Sequence, residues 1–355
     1  IQNRDELSLA YTPGVAQVCL KIKEDKSYAK KSTFSKNSVA VISDGSAVLG
    51  LGNIGPNAAI PVMEGKSVLF KEFGGVDAVP IVLNTQDSEE IIRTIKTISN
   101  SYGGINLEDI SAPRCFEIER KLKEDLEIPV FHDDQHGTAI VVLAGLINSL
   151  KITGKKKEEI KVVVNGSGAA GVAITKLLHE YGVKNIIMCD SKGIISSNRE
   201  DLNWIKKEML EITNRENLSG DVFDAIKNRD VFIGVSVGDL LGIEDIKSMN
   251  KDPIIFAMAN PTPEIMPDLA RKAGAKIIAT GRSDFNNQIN NVLVFPGIFK
   301  GAIENNIRNI SLNMMLDSAK NLAEYIEKPS ENYIIPSPLD KNISNVIAKA
   351  IKDNM

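Results

Sequence analysis

One segment restricts the possible folds more than any other. Val162-Val-Val-Asn165 runs directly into Gly166-Ser-Gly168-Ala-Ala-Gly171, and an amphipathic helical pattern follows. A β-branched run that opens onto this glycine spacing reads as a strand, a tight turn and a helix. Gly166 permits the turn, Gly168 lets the backbone approach a diphosphate, and Gly171 lets helix and strand pack closely. The helix start adds unpaired N–H groups and the positive end of its dipole. The next β-branched run ends in Asp190, at about the spacing that places an acid on a ribose. The segment therefore predicts a dinucleotide site at Gly166, Ser167, Gly168, Ala169, Ala170 and Gly171, with Asp190 on the ribose. Asp190 favours NAD, whereas Ser191, Lys192 and Arg199 close behind it could neutralise the extra phosphate of NADP. Both cofactors stay open.

The rest of the chain agrees with a mostly parallel sheet. Short β-branched runs alternate with longer amphipathic ones. Val39–Ser43, Val79–Leu83 and Pro129–Phe131 read as strands, separated by helices over Gln86–Ser101 and Ala112–Leu126. A small-residue-rich helix covers Gln135–Leu150. Further strands are expected at Val162–Asn165, Asn185–Asp190, Val231–Ser236, Ile254–Ala259, Lys276–Thr280 and Asn291–Phe295. The end, from Ile298, reads as helical with a break over Pro329–Pro338. The chain has 355 residues, 43% of them hydrophobic, more than one core usually organises. The expected division is 1–134, 135–325 and a helical tail over 326–355.

Composition excludes several classes. A net charge of −4 carries no basic excess for nucleic acid. The most apolar run, Ala139–Ile147, is too short to span a bilayer, so no membrane partner is expected. Cys19, Cys115 and Cys189 are an odd, unpaired count, and no leader pattern opens the chain. Both point to the cytoplasm.

Two acidic pairs sit at strand ends. Glu108-Asp109 follows Gly104-Ile-Asn-Leu107, and Asp133-Asp134 follows Ile128-Pro-Val-Phe-His132. Adjacent parallel strands would bring them to one crevice, where hard oxygen ligands suit Mg2+ or Mn2+. The competing reading is that Asp133 or Asp134 caps the following helix. His132 and His136 flank the pair as neighbours of the site, and His179 lies within a helix.

Eight segments then match a known family in order along nearly the whole chain. They are Tyr11-Thr-Pro-Gly-Val15, Ser43–Gly55, Pro61-Val-Met-Glu-Gly-Lys66, Asn106-Leu-Glu-Asp109, Phe131–Thr138, Gly166–Gly171, Ala259-Asn-Pro-Thr262 and Asn290–Gly297. The chain resembles malic enzymes of the shorter bacterial and archaeal type. The resemblance implies an α/β fold: an N-terminal α/β catalytic domain and a Rossmann-type, doubly wound parallel-sheet NAD(P)-binding domain. It also implies Glu108, Asp109 and Asp134 as metal ligands, Lys66 as general base and Tyr11 as general acid. Asn260 and Asn291 match positions contacting substrate or nicotinamide. A lysine base needs a depressed pKa, from burial or a nearby cation. The implied reaction converts malate to pyruvate and carbon dioxide in a homodimer.

Two departures qualify the resemblance. Larger members of the family grip malate with an arginine where this chain has Ala47, so Lys71 is the substitute expected from its nearness to Lys66. Some relatives carry a further C-terminal domain resembling phosphate acetyltransferases, and regulation tied to it is expected to be absent. The alternatives are a metal-independent two-domain dehydrogenase and an inactive dinucleotide-sensing module. The latter would have little reason to keep Lys66 and the acidic trio together.

Overall fold

The computed structural model describes residues 1–48 and 50–354. Two helices open the chain, α1 (Arg4–Ala10) and α2 (Gly14–Glu24), and neither buries a residue. A short α3 (Ala29–Ser32) leads to β1 (Ser38–Ser43), which is buried along its whole length. Unbroken burial, without alternation, is what a parallel strand covered on both faces requires. Next come α4 (Pro56–Leu69), β2 (Asp77–Val82), α5 (Ser88–Ile98), β3 (Gly104–Leu107), α6 (Arg114–Asp125) and β4 (Val130–His132). The four strands form a parallel sheet in the order β2-β1-β3-β4.

The central helix, α7 (Asp133–Thr153), joins the two sheets, and every residue from Ala139 to Leu150 is buried. A helix that is apolar all round belongs inside a core. Among the described residues it alone is long and apolar enough to cross a bilayer, and most of it is enclosed by the protein itself. Its C-cap, Gly154, is left-handed, as helix ends favour.

The second sheet begins with β5 (Lys161–Asn165), α8 (Ala169–Tyr181), β6 (Asn185–Asp190), β7 (Gly193–Ile194), α9 (Trp204–Met209) and α10 (Val222–Ile226). It continues with β8 (Val231–Gly234), α11 (Ile243–Lys247), β9 (Ile254–Ala257), α12 (Pro267–Lys272) and β10 (Ile277–Thr280). The order is β10-β9-β8-β5-β6-β7, parallel except for β7 against β6. The strand order reverses at β5, and ligands bind outside the strand ends at such a point. This is the doubly wound unit the glycine motif predicts.

One predicted strand is absent. Asn291–Phe295 forms a tight turn over Asn291–Leu293, and helix α13 (Phe295–Glu304) begins at its end. Pro296 explains the difference: it lacks an N–H, which suits the first turn of a helix and not a buried strand. The Asn290 side chain accepts from Val292 N at 2.9 Å and fixes the turn.

The chain ends in α14 (Leu312–Glu324) and α15 (Ile343–Lys352), with the expected non-helical break between them. The expected tail is built into the core. Ile347 and Ile351 are fully buried, and Ser344 Oγ donates to Phe73 O at 2.6 Å. Phe299 on α13 meets Phe70 and Phe131 edge-on, with ring centroids 5.5 and 6.1 Å away. One hydrophobic core therefore runs through both sheets, and a smaller one covers the outer face of the second.

Candidate active site

The pairing of β3 with β4 places the acidic strand ends side by side. Glu108 and Asp109 leave β3, Asp133 and Asp134 leave β4, and the carboxylates converge where the sheet ends. Glu108, Asp109 and Asp134 each offer an oxygen within 4.8 Å of the others. Asp109 holds φ 53°, a conformation that side chains usually avoid and that clusters at functional sites. Its N–H donates to Asp134 Oδ2 at 2.7 Å, so the turn itself aims the second acid. Asp133 and Asp134 lie inside the first turn of α7, and His132, the residue before the helix, makes no side-chain cap. The capping reading of this pair is therefore not what the geometry shows.

Lys66 reaches this cluster from the last turn of α4. Its side chain is 7% exposed. Nζ donates to Glu108 Oε1 at 2.5 Å and to Asp133 Oδ2, and lies 4.3 Å from the Phe295 ring centroid. Asn106 donates to the other oxygen of Glu108 at 2.9 Å. Gly137, one turn along α7, is required here, because a Cβ would overlap the Asp133 carboxylate.

Burial alone would push the Lys66 ammonium towards neutrality. Asp133 and Glu108, with Asp134 beyond them, outweigh it and hold the proton above lysine's ordinary value. The expected depression is thus not what these side chains produce by themselves. The carboxyls respond in turn: burial raises Glu108, Asp133 and Asp134, and Lys66 offsets this only in part. Glu108, Asp133 and Asp134 gather around the Lys66 ammonium with Asp109 beside them, so carboxylates outnumber the cation. Such a set of hard oxygen donors with excess negative charge fits a divalent Mg2+ or Mn2+ ion.

The same cleft, about 810 Å³ in volume, reaches the glycine loop. Lys66, Glu108, Asp109 and Asp134 line one end, and Gly168 to Gly171 line the other. Gly166 and Ser167 precede these in the turn. Gly171 permits the approach of α8, since a Cβ there would overlap Gly166 O. Asn260 and Asn291 line the cleft between the two ends, as does Ala47.

Asp190 ends β6 as predicted, but its carboxylate is already engaged. Oδ1 accepts from Lys192 N at 2.9 Å and Arg199 at 2.8 Å, and Oδ2 from Arg199 at 2.9 Å and Lys206 at 2.6 Å. Burial would raise this carboxyl, but the Arg199 and Lys206 contacts hold it below the ordinary value.

Two expected site residues lie elsewhere. Lys71 points to solvent and pairs with Asp77 at 2.7 Å, because α4 has ended and the following turn carries it outward. Tyr11 is 70% exposed and does not line the cleft of its own chain. Conversely, the sequence presents Asp133 as one of four strand-end acids or as a cap, not as a partner of Lys66, and does not single out Asn106. A fully buried Asn in the apolar run Gly104–Leu107, beside an acid pair, was the available signal. His136 pairs with Glu119 at 2.9 Å, and His132 Nδ1 sits 3.8 Å from Asp134 Oδ2.

A doubly wound dinucleotide unit opposite a buried lysine and acidic trio defines a two-domain, nucleotide-dependent oxidoreductase. The comparisons narrow this class. The malic enzyme N-terminal domain matches residues 1–123, and the malic enzyme NAD-binding domain matches 135–354. The bifunctional malic/malolactic enzyme of Bacillus subtilis is 55% identical, covering 99% of this chain and 86% of the relative. The NAD-dependent malic enzyme of Geobacillus stearothermophilus is 56% identical, over 99% of this chain and 74% of that one. The solved NAD-dependent malic enzyme of Thermotoga maritima superposes with a TM-score of 0.96 at 52% identity, covering 99% and 93% of the two chains. This chain belongs to the malic enzyme family of NAD- or NADP-dependent oxidoreductases.

Proposed function

We propose that the chain oxidatively decarboxylates (S)-malate to pyruvate and carbon dioxide with NAD or NADP, using a divalent cation at Glu108, Asp109 and Asp134. The observation that carries this reading is the burial of Lys66 between Glu108 and Asp133, in the cleft that also holds Gly168 to Gly171. Hydride leaves malate C2 for the nicotinamide while Lys66 Nζ takes the C2 hydroxyl proton, giving a 2-oxo diacid. The C3–C4 bond then breaks, C4 departs as carbon dioxide, and the electron pair remains on C3. Tyr11 protonates C3 to give pyruvate. Asp133 orients Lys66 throughout, and the Asn260 and Asn291 amides position substrate and nicotinamide. When bound, the cation supplies positive charge to substrate oxygens and offsets the carboxylate field that keeps Lys66 protonated. With Ala47 and Lys71 unable to grip the far carboxylate, the amides of Asn260 and Asn291 and the Ser111 hydroxyl are among the polar side chains of the cleft that can hold it.

The Asp190 contacts support acceptance of both nucleotides. Asp190 ends the strand where a ribose hydroxyl would be met, and Arg199 and Lys206, paired with its carboxylate, bring positive charge for a 2′-phosphate. The active unit we infer is a homodimer in which a second copy supplies Tyr11. Leu7, Leu9 and Leu20 stand exposed on α1 and α2 around that residue, an apolar patch suited to burial against protein. The free cysteines support a cytoplasmic location.

Steady-state rates with malate, Mn2+ and each nucleotide test the reaction. Absence of turnover with both nucleotides refutes it. Mixing inactive Tyr11→Phe and Lys66→Ala proteins under exchange conditions tests the shared site. Recovery of activity supports sharing, and silence with demonstrated subunit exchange refutes it.

A further inference from the structure

A second cavity, of about 500 Å³, lies beside the cleft and is walled by α6, α7, α8, α9 with the residues just after it, and α14. The two cavities share helices. On α7, Asp134 and Thr138 face the cleft, while Gln135 and Ala139, the next stripe round, face the cavity. On α8, the loop through Gly171 faces the cleft, and Val172, Ala173 and Lys176 face the cavity.

Its lining combines an apolar wall with a charged rim. Phe116, Val172, Leu177, Met209, Ile212 and Met315 provide the wall. On the rim, Lys123 is matched by Glu119 at 2.7 Å and Lys176 by Glu208 at 2.6 Å. Arg120 is not closely matched: it reaches Glu208 only at 4.0 Å and lies over the Trp204 ring at 5.3 Å. The carboxylates of Glu180 and Glu211 have no ion pair or hydrogen bond among the described residues. These groups sit close together, because Glu180 is one turn along α8 from Lys176 and Glu211 follows Glu208 by one turn. Gln135 is 4% exposed, and its Nε2 donor has no partner. One buried amide donor without a partner therefore sits above an apolar wall, beside an exposed cation and two exposed carboxylates that no protein group closely matches. A ligand site of this size commonly has such a lining.

We propose that this cavity binds a small zwitterion with an apolar body, the chemistry of an apolar α-amino acid, and that occupancy changes malate turnover. The carboxylate of the ligand faces Arg120 and Gln135, its ammonium faces Glu180 and Glu211, and its side chain covers Phe116 and Leu177. A ligand held between α7 and α8 bears on the helix carrying Asp134 and on the helix behind the diphosphate loop. Binding at one site then changes affinity at the other, and the effect is reciprocal.

The test titrates the intact protein calorimetrically with L-phenylalanine, phenylpropanoate and phenethylamine, which share a body and differ in charge. Saturable binding of phenylalanine is expected, with each singly charged analogue at least about tenfold weaker. Arg120→Ala should weaken phenylalanine by about tenfold and leave kcat for malate unchanged in its absence. Three equal affinities, no saturable binding of phenylalanine, or unchanged binding in Arg120→Ala each overturn the site. Binding that leaves both kcat and KM unaltered overturns the coupling. The binding measurement stands apart from the proposed reaction, so failure of malate turnover would leave the site standing.

Discussion

Replacing Asp134 with Asn should make the metal-free protein more stable while removing its response to metal. Burial raises the Asp134 carboxyl from 3.8 to about 6, with Lys66 pulling the other way and Asp133 adding to the rise. The native state therefore binds this proton more tightly than the unfolded chain does. Keeping the group ionised costs stability at every pH above the folded value, and the cost fades as pH falls towards the unfolded value. At about 1.4 kcal/mol per pK unit, the ceiling is about 3 kcal/mol. The side chain is 29% exposed, so solvent screening brings the working figure to about 2 kcal/mol. Asn keeps the shape and can still accept from Asp109 N, so the charge is the main thing lost. For a chain of this length the gain corresponds to about 3 °C in Tm. The assay is calorimetric melting of chelator-treated wild type and Asp134→Asn at pH 8 and pH 5, with and without Mn2+. The variant should melt higher at pH 8, and its advantage should fall to about half at pH 5. Mn2+ at a hundredfold excess over its Kd should stabilise wild type by about 2.7 kcal/mol and the variant far less. A variant that melts lower than wild type at pH 8, or an equal response to Mn2+, would refute the reading of this cluster as an unsatisfied cation site.

Lys66→Ala should cut kcat by at least about a thousandfold, while nucleotide binding, followed by fluorescence titration, stays measurable. Wild-type turnover in that variant would remove Lys66 as the base. Asp133→Asn takes one carboxylate from Lys66, so the acid limb of the kcat profile should move to lower pH, and an unmoved limb contradicts the pairing. His132 is fully buried, and burial lowers its pKa from 6.5 to about 4, against the opposing pull of Glu119. The unfolded chain therefore takes up this proton first, and native stability falls by about 3 kcal/mol between pH 6.5 and pH 4. Denaturant melts of His132→Leu against wild type should show a difference that grows as pH drops through that window, and a constant difference would count against it. Lys206→Ala should lower kcat/KM for NADP relative to NAD by about tenfold. A ratio unchanged within error means that Lys206 takes no part in nucleotide choice.

What the sequence disclosed, and what it hid, follow from the range of the interactions involved. The strand Val162–Asn165, its glycine turn and helix α8 were legible because each residue answers a local demand, such as the absence of a Cβ at Gly171. The strand ends at Glu108 and Asp134 were legible for the same reason, since parallel neighbours must end together. Asn291–Phe295 misled because Val and Leu look alike in a strand and in a buried turn, and Pro296 was the decisive local signal. The state of Lys66 could not be read at all. Its neighbours in sequence are Gly65 and Ser67, whereas the groups that set its charge lie just past β3 and on α7, dozens of residues away. A buried ion pair is a property of the assembled sheet, and so is its cost: the fold collects Glu108, Asp133 and Asp134 about the single ammonium of Lys66. Such an excess destabilises the chain unless something satisfies it. The same logic applies to Tyr11. Tyr11, with Leu7, Leu9 and Leu20, stands exposed on and between two helices that bury no residue, so its side chain adds no apolar burial to its own chain. Its physical justification lies in whatever covers it.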